Sequence, residues 1–114
     1  MNIHNKSWLK KKMKTLREIK KILQDYKKEL KEKYQIKKIS IFGSYVRNQQ
    51  KKRSDIDLLV EFEETPDLLK FIEIEEYLTK LIGVRVDLVR RPVLRKELRK
   101  QILKEAIEVY EKKL

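Results

Sequence analysis

The sequence predicts a small α/β domain, one three-stranded mixed sheet with flanking helices. Three observations predict it. Runs rich in β-branched and apolar residues fall at 37–42, 55–62 and 84–89. Amphipathic stretches with three- and four-residue spacing precede, separate and follow them. The length, 114 residues, suffices for one domain and falls short of two. The expected order is α-β-(turn)-β-α-β-α.

Residues 1–12 read as a flexible N-terminal extension ahead of a single domain at 13–114, because Met13-Lys14-Thr15-Leu16 resembles a start of its own. Over 8–34, Leu9, Met13, Leu16, Ile19, Leu23, Tyr26, Leu30 and Tyr34 recur at helical steps among Lys and Glu, which predicts one long amphipathic helix with Trp8 as an anchor. Lys37–Phe42 alternates and reads as the first strand. Residues 45–54 are polar and read as a helical turn and an exposed loop. Asp55–Phe62 is mostly apolar, which suits a central strand covered on both faces. Thr65 is the expected N-cap of the next helix, with Pro66 at its first position. That helix should run to about Ile82 with Leu68, Leu69, Ile72, Ile74, Tyr77, Leu78 and Leu81 inward, and stop at Gly83. Val84–Val89 is the third strand. A last helix is expected over 93–113, with Leu94, Leu98, Ile102, Leu103, Ala106, Ile107 and Tyr110 inward.

Composition narrows the chemistry. The chain has no cysteine and one histidine, His4, which excludes disulfide scaffolds and thiol or Cys-zinc sites and argues against a Ser-His-Asp triad. No long apolar run is present, so no membrane span is expected. Residues 1–15 lack the apolar core of a secretory signal, and a cytoplasmic location follows as the expectation. Lys and Arg number 30 against 18 Asp and Glu, a net +12, favouring nucleic acid, nucleotide phosphates or an acidic protein partner over a neutral one. The Lys/Glu enrichment resembles hyperthermophile composition and carries no functional information.

The second strand opens with Asp55 and Asp57. Residues at i and i+2 on a strand share a face, roughly 6–7 Å apart. Two carboxylates on an otherwise apolar strand are costly without a positive partner, and residues 55–62 contain no Lys or Arg. A divalent cation meets that need, and hard oxygen ligands suit magnesium or manganese. Asp87 stands alone among Val86, Leu88 and Val89 on the third strand. Paired beside the second strand, it completes a set of three acids able to hold two ions about 4 Å apart for in-line displacement at phosphorus. Gly43-Ser44 sits where the first strand ends and a helical turn begins. A small residue there admits a phosphate close to the backbone, and the turn's N–H groups and the Ser44 hydroxyl can donate to it. Arg47, one turn later, can reach the same phosphates. Each piece alone is ordinarily a turn or a surface pair. The joint spacing, Gly-Ser, ten residues, Asp-x-Asp, arises by chance in on the order of one chain in a thousand.

Gly43-Ser44-Tyr45-Val46-Arg47 followed by Ser54-Asp55-Ile56-Asp57-Leu58-Leu59-Val60 resembles the signature of the minimal nucleotidyltransferases, within the DNA polymerase β-like superfamily. In size and element order the resemblance covers about Leu16 to Tyr110. It implies a palm-like nucleotidyltransferase fold and metal-dependent transfer of a nucleoside monophosphate, with Asp55, Asp57 and Asp87 as catalytic metal ligands and Gly43 and Ser44 on the triphosphate. Where the family often reads Gly-Ser-x-Ala-Arg-Gly, this chain has Val46 and Asn48; Asn48 tolerates left-handed backbone geometry. Many such proteins resemble antitoxins that transfer AMP from ATP to a tyrosine of a HEPN-domain ribonuclease toxin. The resemblance therefore implies ATP as substrate, two Mg²⁺ (or Mn²⁺) ions as cofactors, and a HEPN toxin as partner. Two other readings stand beside it: an antitoxin that neutralises by binding alone, and an RNA-binding or RNA-modifying protein suggested by the charge. No aromatic-rich strand motif or helix-turn-helix pattern supports the RNA reading.

Of the remaining residues, Gln49–Arg53 reads as a solvated loop. Arg85 is expected on the face of Asp87, pairing with a carboxylate or a phosphate. Arg90 and Arg91 read as surface, and Tyr45 as packing.

Overall fold

The computed structural model describes residues 14–51, 54–90 and 96–111. The expectations for His4, Trp8, the 1–12 extension, Lys52, Arg53, Arg91, Pro92 and Leu94, and for the Leu98 side chain, lie outside the described residues.

The chain runs α1 (Leu16–Asp25), α2 (Lys27–Tyr34), β1 (Ile36–Phe42), a 3-10 turn (Gly43–Tyr45), β2 (Ile56–Phe62), α3 (Leu68–Ile82), β3 (Val86–Arg90), α4 (Lys96–Glu105) and β4 (Ile107–Glu111). The sheet has four strands, in the order β3-β2-β1-β4, where the sequence predicted three. β1 pairs antiparallel with both β2 and β4, and β2 pairs parallel with β3, so the sheet is mixed.

The expected single helix over 8–34 is two among the described residues. α1 starts on a capping box, in which the Glu18 N–H donates to the Thr15 hydroxyl and the Thr15 N–H donates to the Glu18 carboxylate. It bends at Tyr26, yet N–H to carbonyl bonds still link Tyr26 to Ile22 and Leu30 to Tyr26. The bend lets α1 pack on α3 and β4 while α2 packs on β1. Gln35 then ends α2 in the left-handed region, φ 57°.

α3 begins later than predicted. Thr65 and Pro66 precede it, and the cap is Asp67, whose carboxylate accepts the Lys70 N–H at 2.8 Å. Ile74, Leu78 and Ile82 are buried as expected, with Tyr77 and Leu81 packed against them. Leu68, Leu69 and Ile72 are exposed instead of inward, because they lie on the first turns of α3, away from the face that packs on the sheet. Gly83 closes the helix in the left-handed region, φ 80°.

The expected helix over 93–113 is the second correction of substance. It ends at Glu105, and Ile107–Glu111 returns as an edge strand beside β1. An irregularity in the β1/β4 register turns Tyr110 toward the helices. There its hydroxyl donates to the Ile36 carbonyl, and the Lys27 and Lys31 ammonium groups lie over its ring.

α1, α2 and α3 cover one face of the sheet. Ile39 and Ile41 of β1, Ile56, Leu58 and Val60 of β2, and Val86 and Leu88 of β3 join Ile19, Leu23, Leu30, Ile74, Leu78 and Ile82 in one core. α4 crosses the opposite face, with Leu103 and Ala106 near Ser40 and Leu59. The outer edge of β3 is closed by α3, since the Val86 N–H donates to the Thr79 hydroxyl and the Leu88 N–H to the Glu75 carboxylate. Among the described residues no helix is long and apolar enough to cross a membrane.

Candidate active site

Strand alternation puts Asp57 on the face opposite α1, α2 and α3, the one that α4 crosses, and register does the rest. Asp57 is the cross-strand partner of Phe42, the last residue of β1, and of Asp87 on β3. The chain reaches Asp57 and Asp87 from points thirty residues apart, and the parallel β2/β3 pairing sets them side by side. Their carboxyl groups lie close enough to act on each other. Burial, then the neighbouring Asp87 carboxyl, then Asp55, push Asp57 from its ordinary 3.8 up to about 6, while Arg47 pulls the other way. Asp55 stands just ahead of β2, exposed, close enough to act on Asp57 and on Tyr45.

Gly43 adopts φ 81°, and a Cβ built on it would run into the Asp57 carboxylate. Glycine is needed at this point twice over, for the backbone conformation and for the approach of the acid. The chain then tightens into the 3-10 turn. The Val46 and Arg47 N–H groups donate back to the Gly43 carbonyl, and the Gln49 N–H to the Ser44 carbonyl. Asn48 takes the left-handed conformation expected of it, φ 57°. Ser44 is half-buried at this turn, and among the described residues nothing takes up its hydroxyl. Tyr45 is buried, which agrees with packing.

Arg47 is exposed and held from the side. It donates to Glu105 at 3.0 Å and to Gln49 at 3.1 Å. Glu105 is a residue the sequence did not single out. It ends α4, and only the crossing of α4 over the sheet brings it to the turn, so within a Lys/Glu-rich helix nothing marks it. Arg85 is exposed just ahead of β3.

The donor set is hard oxygen alone, and burial together with the neighbouring Asp87 and Asp55 charges makes Asp57 costly to ionise, a cost that a cation would relieve. The residues fit a divalent cation on that ground. Among the described residues, no three acidic or imidazole side chains form a preformed metal cage. Asp57 and Asp87 are the close pair, and Asp55 flanks them.

Residues 16–109 match the nucleotidyltransferase domain family. The chain belongs to that family.

This nucleotidyltransferase domain is 53% identical over 97 residues to the protein adenylyltransferase MntA of Thermococcus cleftensis, covering 85% of this chain and 98% of that one. A Methanocaldococcus jannaschii relative, provisionally named a protein adenylyltransferase, is 56% identical over 96 residues, covering 80% of this chain and 98% of its own. Among solved structures, a toxin–antitoxin complex with AMP-PNP superposes with a TM-score of 0.63 at 26% identity, over 85% of this chain and 73% of that one. The mixed sheet with helices on both faces is thus the nucleotidyltransferase fold, with a fourth strand that the sequence reading had assigned to a helix.

Proposed function

We propose that this nucleotidyltransferase domain is an antitoxin that transfers AMP from ATP to a tyrosine of a HEPN-domain toxin. The observation that carries the reading is the abutment of Gly43 on Asp57, which sets the Gly43–Tyr45 turn against the paired acids without an intervening side chain. The names of the MntA relative and of the toxin–antitoxin complex with AMP-PNP support the acceptor class and the nucleotide.

In this reading the Gly43–Tyr45 turn receives the triphosphate, with backbone N–H groups and the Ser44 hydroxyl donating to its oxygens. Arg47 exchanges part of its bond to Glu105 for a phosphate oxygen. Asp55, Asp57 and Asp87 would hold magnesium or manganese, which would supply charge neutralisation at the phosphates and acidify the attacking hydroxyl. Asp87, exposed at the start of β3, receives the proton of the tyrosine hydroxyl as it attacks the α-phosphate. The tyrosine oxygen–phosphorus bond forms, the bond between the α-phosphate and the bridging oxygen breaks, and pyrophosphate leaves with that oxygen.

The test is direct. The chain is mixed with a HEPN toxin encoded beside it, ATP and magnesium, and the toxin's intact mass is read. Each modification should add one adenylyl group on tyrosine and suppress ribonuclease activity. The Asp55→Ala/Asp57→Ala variant should do neither. A toxin silenced equally by that variant, with no mass change under the unaltered chain, would mean neutralisation by binding alone.

A further inference from the structure

Between the first turns of α3 and strand β3 lies a groove of about 420 Å³, lined by Pro66, Leu68, Phe71, Leu88, Val89 and Arg90. Leu68, which lines it, is 73% exposed, and its neighbours on α3, Leu69 and Ile72, are 80% and 41% exposed. Leaving each such side chain in water forgoes about 1.5–3 kcal/mol of burial. Positions i, i+1 and i+4 of one helix form a continuous patch, unlike scattered single leucines.

The charge around this patch is the reverse of the chain's. Residues 61–76 carry seven acids and one lysine, a net −6 inside a chain of net +12, which leaves the remainder at +18. Asp67, Glu73 and Glu76 on α3, and Glu64 just ahead of it, are exposed, against Arg90 as the charged residue lining the groove itself. Lys70, the lysine of the segment, is engaged by Glu73 and by the Tyr34 ring. An apolar lip with an acidic rim suits a ligand that is apolar on one side and basic at its margins.

The mode of recognition is constrained as well. The Thr79 and Glu75 side chains occupy N–H groups of the outer β3 edge, so a partner strand finds that edge already engaged. A helix laid between α3 and β3 meets no such obstacle. A second copy docking by the same patch would set two acidic rims face to face.

We propose that this groove is the docking surface for a basic amphipathic helix of the acceptor protein. The proposal rests on the reading that the acceptor is a protein. Along β3, Arg90 in the groove is three residues from Asp87, about 10 Å. A helix seated there puts neighbouring residues of the partner within reach of the acid pair. Net charge hides the arrangement: the chain as a whole is basic, and the segment it grips is basic too.

The test uses the full chain without ATP and a fluorescein-labelled leucine–lysine amphipathic helical peptide, read by anisotropy at physiological ionic strength. Saturable binding is expected, weakened about tenfold or more by Leu68→Ser/Leu69→Ser and by Glu64→Lys/Glu73→Lys. These positions are exposed, so circular dichroism and the thermal midpoint should stay unchanged. With the toxin itself, the same variants should raise KM for adenylylation and spare kcat. Equal binding of a leucine–glutamate peptide, or binding indifferent to the α3 substitutions, overturns the proposal. So does a self-associating chain that Leu68→Ser/Leu69→Ser renders monomeric, since the occupant is then a second copy. Docking that persists while no toxin is labelled overturns the catalytic reading alone.

Discussion

At the residue scale the chemistry concentrates on Gly43 and Asp57. Ionising Asp57 is harder in the folded chain than in the unfolded one, because burial and Asp87 oppose its charge. The native state therefore holds a proton on it up to about pH 6, while the unfolded state releases it near 3.8. Between those values the native state binds more protons, and stability falls as pH rises through the window. Below it the effect vanishes, and above it the penalty is complete, on the order of 1–2 kcal/mol after allowance for solvent around a half-exposed group. Urea midpoints of the metal-free chain at either end of the window should show this fall. Asp57→Asn should flatten the difference, raise stability at neutral pH, and abolish transfer from radiolabelled ATP. Gly43→Ala meets both a left-handed backbone and the Asp57 carboxylate, and should cost about 2 kcal/mol or more. Adding Asp57→Gly should recover the steric part and leave the backbone part, and a double-mutant cycle separates them. Ser44→Ala should weaken nucleotide binding by about 1.5–3 kcal/mol, the worth of a hydrogen bond to a charged group, read by titration calorimetry. The positions of Gly43, Asp57 and Asp87 were legible because spacing and strand alternation are printed in sequence. Glu105 was not, because its approach to Arg47 depends on where α4 crosses.

At the element scale the sequence reading did well where one physical signal acted alone and failed where two coincided. Strands β1, β2 and β3 were placed to within two residues, since β-branched alternation had no helical competitor. Ile107–Glu111 satisfied both periods: Ile102, Leu103, Ala106, Ile107 and Tyr110 fit a helical face, while Ile107 and Val109, alternating with Glu108, fit a strand. Only the open edge of β1 decides between them. The bend at Tyr26 kept the helical phase, so Leu23 and Leu30 still face the core and periodicity carried no trace of it. At the start of α3 the composition pointed to Thr65 as the cap, and the cap is Asp67, whose carboxylate takes the Lys70 N–H. Asp67→Ala should therefore cost about 1 kcal/mol and Thr65→Ala less than about 0.5. Chemical denaturation of the two single variants checks the assignment; the opposite ranking would restore Thr65. Tyr110→Phe removes the bond to the Ile36 carbonyl and should cost about 1 kcal/mol by the same measurement.

At the scale of the whole molecule, the sheet is completed out of chain order. β1 lies inside it, yet its second neighbour is β4, the last element described. Removing residues 107–114 should leave the acid pair in place and expose the β1 edge, with aggregation read by light scattering and loss of amide protection confined to β1. The same topology has a consequence during synthesis. By the time the ribosome has added Asp87, every residue of the paired-acid site exists, but the strand that covers Ile36–Phe42 is still some twenty codons away. At about 5–20 residues per second that interval lasts on the order of seconds. Throughout it the nascent chain carries an apolar strand with one side unpaired. A partner or chaperone met in those seconds encounters β1 with its last neighbour unmade, while Asp87 is still inside the exit tunnel of the ribosome.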